Sequence, residues 1–319
     1  MRKDWVDCLR ALAMILVVLG HASYRIVPDR YLYLLFTSPV KVPLFFAVSG
    51  YVFSMKNGNV KAFWKSWFLR IIVPWFCLAL IPGIPRCVIQ KESLLSYMGE
   101  LISGKELWFM PCFAIAYIIH FYFRKYSKCE LTVCTFCMMA WGGGLLAAQY
   151  DILNFAMFNR ALIVQFFFLI GYLFKQHEDS FLKIQRKYYL LFFFIYLGLC
   201  VISMYLFPHK SMDVHNNRYY NIPYCFMLIT FGCFFLFGIA RKAFVSDKIF
   251  NYIGRNTLLL FIWHPYVFQV IIGVVGLLHL SNLSGWGYAI AKSIIAIGVC
   301  MACSALVNKY VPWVVGKKA

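Results

Sequence analysis

Ten stretches of this chain are apolar over roughly the length a lipid bilayer demands, and charged or turn-forming residues separate them. A helix crossing the hydrocarbon core needs about 20 mostly apolar residues. Stretches near that length fall at 8–27, 37–55, 71–90, 107–123, 131–150, 161–174, 188–207, 222–240, 256–278 and 287–307. The sixth is short, and the second and third contain Pro39, Pro43, Pro74, Pro82 and Pro85, which blur their ends. The pattern predicts an all-α fold: a polytopic transmembrane helix bundle of about ten helices. Polar connections are too short to hold a soluble domain, so a single integral-membrane domain, 1–319, is expected. The first stretch is long and is followed by no small-residue cleavage site, so it is expected to stay as the first helix. No inverted repeat of the kind many transporters carry is evident.

Composition agrees with this placement. With 62% hydrophobic and 13% charged residues, the chain has too little polar surface for a soluble domain of 319 residues. Of its 31 Lys and Arg, 20 fall in inner segments and 8 in outer ones if the N-terminus is cytoplasmic, while Arg10, Lys41 and Lys292 lie inside helices. That bias predicts that both termini are cytoplasmic. The net charge of +19 is spread over inner loops and tails between apolar spans. Topology and anionic lipid explain such a spread, and nucleic acid is not expected as a partner. The twelve cysteines lie mostly inside spans, and the pairs Cys134/Cys137 and Cys300/Cys303 have no histidine or acidic neighbours. They read as small hydrophobes, with no metal site.

The first stretch, DCLRALAMILVVLGHAS (7–23), carries polar residues that need a reason. At about 100° per residue, Arg10 and His21 come roughly 20° from sharing one line along a helix, about 16 Å apart on its axis. Asp7 can pair with Arg10 and lies within about 40° of the same face. An ionisable group at membrane depth costs several kcal/mol unless it faces a protein interior or a water-filled cavity, which makes it a functional candidate. This stripe places Arg10 near the cytoplasmic surface and His21 about halfway through the bilayer or a little beyond.

The order Asp7-x-x-Arg10, followed by His21, resembles the opening of the membrane-bound acyltransferase 3 family. PLFFAVSGYVF (43–53), FLRIIVPWF (68–76), LWFMP (107–111) and IGRNTLLLFIWHPYV (253–267) follow in the same order as in that family. The resemblance implies a ten-helix enzyme that moves an acyl group, commonly acetyl, from cytoplasmic acyl-coenzyme A to a sugar hydroxyl, often on a cell-surface polysaccharide. It implies a multi-pass protein of the inner cell membrane, with acetyl-CoA as donor, a sugar or polysaccharide as acceptor and the lipid bilayer as solvent. Carried over residue by residue, it makes His21 the catalytic base, with Asp7 beside it in the catalytic set, and Arg10 and Arg70 the grips on the coenzyme. Where the family often has paired arginines before the third helix, this chain has Lys65 and Arg70. Lys65 is carried as a further coenzyme contact.

The chemistry suits these residue types. A hydroxyl attacking an acyl carbon needs a base, and histidine titrates near working pH, a match typically worth about 10²–10⁴-fold in rate. Guanidinium forks suit the phosphates of a nucleotide-bearing donor. His264 reads as an acceptor-binding group, as an assistant to His21 or as a hydrogen bond between helices. Ser49 lines an acyl pocket or allows close helix packing, and Trp108 stacks on a sugar or belongs to the interfacial aromatic belt. A function of another class is also consistent with a buried polar stripe: a carrier or flippase for a glycan precursor or small metabolite, with the histidine relaying protons.

Overall fold

The computed structural model describes residues 3–55, 59–127, 129–243, 247–279 and 283–316. Arg2, Lys56, Lys128, Lys317 and Lys318, which enter the charge asymmetry, lie outside the described residues. In chain order the helices are α1 (Asp4–Ala22), α2 (Arg30–Val52), α3 (Val60–Trp67), α4 (Val73–Gln90), α5 (Leu94–Ser103), α6 (Phe109–Tyr126), α7 (Glu130–Gln149), α8 (Phe158–Ile163), α9 (Gln165–Gln176), α10 (Glu178–Lys183), α11 (Arg186–Leu206), α12 (Ile222–Ala243), α13 (Lys248–Arg255), α14 (Thr257–Leu277) and α15 (Gly285–Tyr310). No β-strand occurs among the described residues.

Each of the ten apolar stretches is helical. Among the described residues eight helices are long and apolar enough to cross a membrane, and a ninth results if the segments on either side of residue 164, bent by 43°, form one span. The expected span at 107–123 is α6, a helix of 18 residues whose last turn carries Arg124 and Lys125. At the bend, Gln165 Nε2 donates to Ala161 O (3.2 Å) and to Ala116 O (2.9 Å). It thereby serves a carbonyl next to the break.

The largest departure from the expected boundaries is at the third stretch. Helix begins at Val60 rather than 71, because Asn59 caps α3 by accepting from Ala62 N and the following residues are amphipathic. A single π-helical turn, Phe68–Ile72, then joins α3 to α4. Pro74 has no N–H to give the carbonyl of Arg70, and the wider turn accommodates this: Val73 N bonds Phe68 O, five residues back.

The chain divides into two compact units, Met1–Tyr51 with Tyr172–Ser304, and Val52–Gly171 with Ala305–Ala319. In the first, Trp5, Tyr51, Phe174 and Phe237 pack edge to face or tilted, with Trp5–Tyr51 and Phe174–Phe237 ring centroids both 4.9 Å apart. The short helix α13 starts at Asp247, whose side chain accepts from Ile249 N and Phe250 N, and lies against α1. The approach is so close that a β-carbon on Gly254 would meet the Asp7 carbonyl oxygen at 1.9 Å. Cys8 Sγ donates to the buried Asn251 Oδ1 across the same contact, at 3.4 Å. In the second unit Phe63 stacks on Phe121 at 3.7 Å and the buried His120 lies against Phe53 and Phe168.

Glu178 gathers three chain segments of the first unit. Its carboxylate accepts from Lys3 Nζ (2.9 Å), Tyr51 OH (2.7 Å) and Arg241 Nε (2.8 Å). Burial would raise this carboxyl, but the hydrogen bonds from Lys3, Arg241 and Tyr51 outweigh burial and hold it below the ordinary carboxylate value of 4.5. A carboxylate depressed in this way stabilises the fold above its unfolded value, and the contribution disappears as pH falls through the folded value.

Two outcomes are expected from thermal unfolding of the purified protein in detergent. Gly254→Ala should destabilise by about 1–3 kcal/mol, because backbone must move to admit the methyl group. Glu178→Gln should lower Tm at neutral pH, and the gap to wild type should close as pH falls below the ordinary carboxylate value of 4.5; a gap that persists in acid would rule out the ionised carboxylate as its source.

Candidate active site

The polar stripe of the first helix survives folding. α1 runs unbroken from Asp4 to Ala22, so helical spacing keeps Arg10 and His21 on one side. Their environments differ. Asp7 is 1% exposed and sits between two guanidiniums, with Arg10 Nη1 at 3.6 Å and Arg255 Nε at 3.3 Å. Arg255 also reaches Asp4 through Nη2 at 3.4 Å. Two arginines and two aspartates thus form a network at the start of α1, and α13 brings the second arginine to it. Along the helix axis Asp7 lies about 21 Å from His21.

His21 stands in the last turn of α1, because the helix stops at Ala22 rather than running to 27. Ser23 ends it, its N–H bonding Leu19 O and its hydroxyl donating to Gly20 O, and α2 begins only seven residues later. Two side chains from the start of α2 serve carbonyls of this last part of α1: Arg30 Nη2 donates to Gly20 O at 2.9 Å, and Tyr33 OH donates to Leu16 O.

His21 is exposed and lines a cavity of about 540 Å³, whose walls also include Tyr24, Arg25, Pro265, Phe268, Gln269, Tyr288 and Lys292. His264 lies beside it, ring centroids 5.2 Å apart and planes inclined by 56°. His264 is 1% exposed, and its Nδ1–H donates to Leu260 O at 2.9 Å. A carbonyl only accepts, so in the neutral ring the lone pair belongs to Nε2. Nε2 has no partner among the described residues. The next residue, Pro265, has no N–H for the Phe261 carbonyl one turn back.

The remaining expected residues are placed as follows. Ser49 Oγ donates to Phe45 O at 2.8 Å, one turn back in its own helix. Arg70 is exposed in the π-helical turn, its backbone against Gly316, and Lys65 is exposed on α3. Trp108 precedes α6, partly buried and edge-on to Phe109 at 6.1 Å. Arg70, Lys65 and Trp108 belong to the second compact unit, whereas Arg10, His21, Ser49 and His264 belong to the first. Among the described residues no group of histidine, cysteine, aspartate or glutamate is arranged to hold a metal ion.

Sequence reasoning gave no role to Arg255, Lys41 or Lys292. Arg255 shares the Asp7 network. Lys41 Nζ lies where a methyl group on Gly20 would touch it at 3.2 Å, one residue from His21. Lys292 is 5% exposed at the cavity, its Nζ 4.7 Å from the centre of the Phe268 ring. The signal was a cation inside an apolar helix in two of the three cases.

A multi-pass helical membrane protein with a cavity-lining histidine backed by a second, buried one is the class this fold and site define. The family model for acyltransferase 3, described as an acyltransferase domain, matches residues 3–305. The chain belongs to that family and is an acyltransferase. No curated protein and no solved structure matches it. Membership favours the enzyme over the carrier or flippase considered from the sequence.

The Asp7 network gives a prediction of its own. Replacing Arg255 by Ala leaves the buried Asp7 with Arg10 alone, at 3.6 Å, and a loss of about 1–3 kcal/mol is expected, as for one hydrogen bond to a charged group. The double variant Arg255→Ala/Asp7→Asn should recover part of that loss in the same thermal unfolding measurement. Additive losses would show that the two side chains do not interact.

Proposed function

We propose that this protein is a membrane O-acyltransferase, and more narrowly an O-acetyltransferase, that takes an acyl group from cytoplasmic acyl-CoA and places it on a hydroxyl of a sugar in a cell-surface glycan or its precursor. The observation that carries the reading is the contact of His21, which lines a cavity, with the buried His264 beside it. Family membership supplies the reaction class.

In this reading the sugar hydroxyl enters the cavity and hydrogen-bonds to an imidazole. His21 takes its proton as the oxygen attacks the thioester carbonyl, so a C–O bond forms while the C–S bond breaks. The thiolate of coenzyme A leaves and recovers the proton from the imidazolium, which returns His21 to its starting form. His264, its tautomer held by Leu260 O, offers Nε2 as a second acceptor for the incoming hydroxyl. Asp7 stays in the catalytic set as a positioning residue that orients Arg10 and Arg255. Arg10, Arg70 and Lys65 bind the coenzyme phosphates. The roughly 16 Å between Arg10 and His21 suits a donor whose phosphates stay at one end of the helix while its thin thioester arm reaches the other. Trp108 and Ser49 serve the acceptor and the acyl group.

The whole chain, 1–319, then works as one acyltransferase domain of the inner cell membrane with both termini in the cytoplasm. The excess of Lys and Arg in the inner segments supports that orientation.

The test uses purified protein in nanodiscs, radiolabelled acetyl-CoA and a crude surface-glycan acceptor. His21→Ala should lower kcat about 10²–10⁴-fold, the loss expected for a general base. Arg10→Ala should instead raise the donor KM with a smaller change in kcat. Equal labelling by wild type and His21→Ala would overturn the base assignment.

A further inference from the structure

The charged side chains at the cavity beside His21 are of one sign. None of its lining residues is an aspartate or glutamate, whereas Arg25 and Lys292 both line it. Two more cations stand behind His21, Arg30 on Gly20 O and Lys41 Nζ against Gly20. The acid in the adjoining loop, Asp213, does not line the cavity: it accepts from His215 N, Asn216 N and Asn216 Nδ2, and its charge acts on Arg30 and Lys41.

Lys292 is the informative member. It lies in α15 within a candidate membrane span, is 5% exposed, and no carboxylate pairs with it among the described residues. Its visible partner is the face of Phe268. A buried ammonium without a counter-charge is unfavourable, and such a group inside a span points to a ligand or a transport path. Arg25 is held at the same cavity by a left-handed backbone, φ 63°, which a non-glycine residue adopts only at a cost of about 1 kcal/mol or more. Ile26 O accepts from Gly285 N at 2.8 Å, fixing this turn against the start of α15. The fold thus gives up local stability twice to bring positive charge to one small volume.

Tyr24, Gln269 and Tyr288 at this cavity both donate and accept, and can serve the hydroxyls of a sugar. Arg and Lys only donate. Donors without acidic partners suit a ligand rich in acceptors, and a carboxylate or phosphate is the strongest of these.

We propose that the cavity selects an acceptor bearing a negative charge, a carboxylate or phosphate on the sugar that is to be acylated, with Lys292 as its principal counter-ion and Arg25 at its entrance. This rests on the acyltransferase reading and deepens it by naming the acceptor class. Pro265, Phe268 and Ile272 provide an apolar wall for the face of the sugar ring.

The test is binding, which does not depend on turnover. Full-length protein in phosphatidylcholine nanodiscs is titrated with glucose, glucuronic acid and glucose 6-phosphate, followed by saturation-transfer NMR. The two acids should bind roughly tenfold or more tightly than glucose, the effect of one hydrogen-bonded charge. Lys292→Met should abolish that preference without lowering Tm, since it removes an unpaired buried charge, whereas Lys292→Arg should keep it. His21→Ala should keep the preference while losing acyl transfer, so a failure of the acyltransferase reading is distinguishable from a failure of this one. Equal binding of glucose and the acids, or a preference that survives Lys292→Met, would overturn the proposal. A nanodisc containing phosphatidylglycerol forms the last arm: if it erases the preference, the site belongs to a lipid headgroup and the acceptor assignment falls; an unchanged preference supports the acceptor.

Discussion

A carboxylate 1% exposed near the start of an apolar helix must have its charge matched, and the arrangement of the first compact unit follows from how Asp7 is matched. Arg10 comes from the same helix, one turn on, but Arg255 has to be carried in by another element. That element is α13, and it can come close enough only because position 254 has no side chain. Since α13 leads within two residues into α14, seating Arg255 on Asp7 also sets where α14 starts beside α1. His264 lies nine residues further along, and the contact it makes with His21 is fixed at the other end of the same pair of elements. An electrostatic requirement at one end of the first helix thereby becomes a geometric one at the other.

At that other end the fold reverses the usual economy of membrane proteins. The carbonyls of Gly20 and Leu16 in the last part of α1 are served by Arg30 and Tyr33 from α2. Beyond them, charge is left open: Lys292 has an aromatic face but no acid, and His264 Nε2 has no partner among the described residues. In a bilayer, unsatisfied groups are disfavoured more strongly than in a soluble core. Lys292 shares a cavity with His21 and His264 lies against the His21 ring, while Asp7 and Glu178 elsewhere in the same unit are saturated, which separates a working surface from a structural one.

Much of the architecture was legible from apolar runs, because burial in lipid acts on the average of about twenty residues and tolerates local detail. All ten stretches became helix. The misjudged boundaries are those decided by single hydrogen bonds: Asn59 capping α3 well before the apolar run, and Ser23 closing α1 directly after His21. The π-helical turn at Arg70 was invisible for a related reason, since Pro74 signals a missing donor but not how the chain absorbs it.

The order of residues along the first helix fixed by itself that Asp7, Arg10 and His21 share a side, since helical periodicity is a local property of an unbroken segment. It also determined that the protein lives among apolar helices. Tertiary structure alone decided that Arg255 completes the network at Asp7, that His264 meets His21, and that Lys292 joins His21 at one cavity. Those outcomes depend on contacts between residues hundreds of positions apart in the chain, and no local spacing encodes which helices will meet.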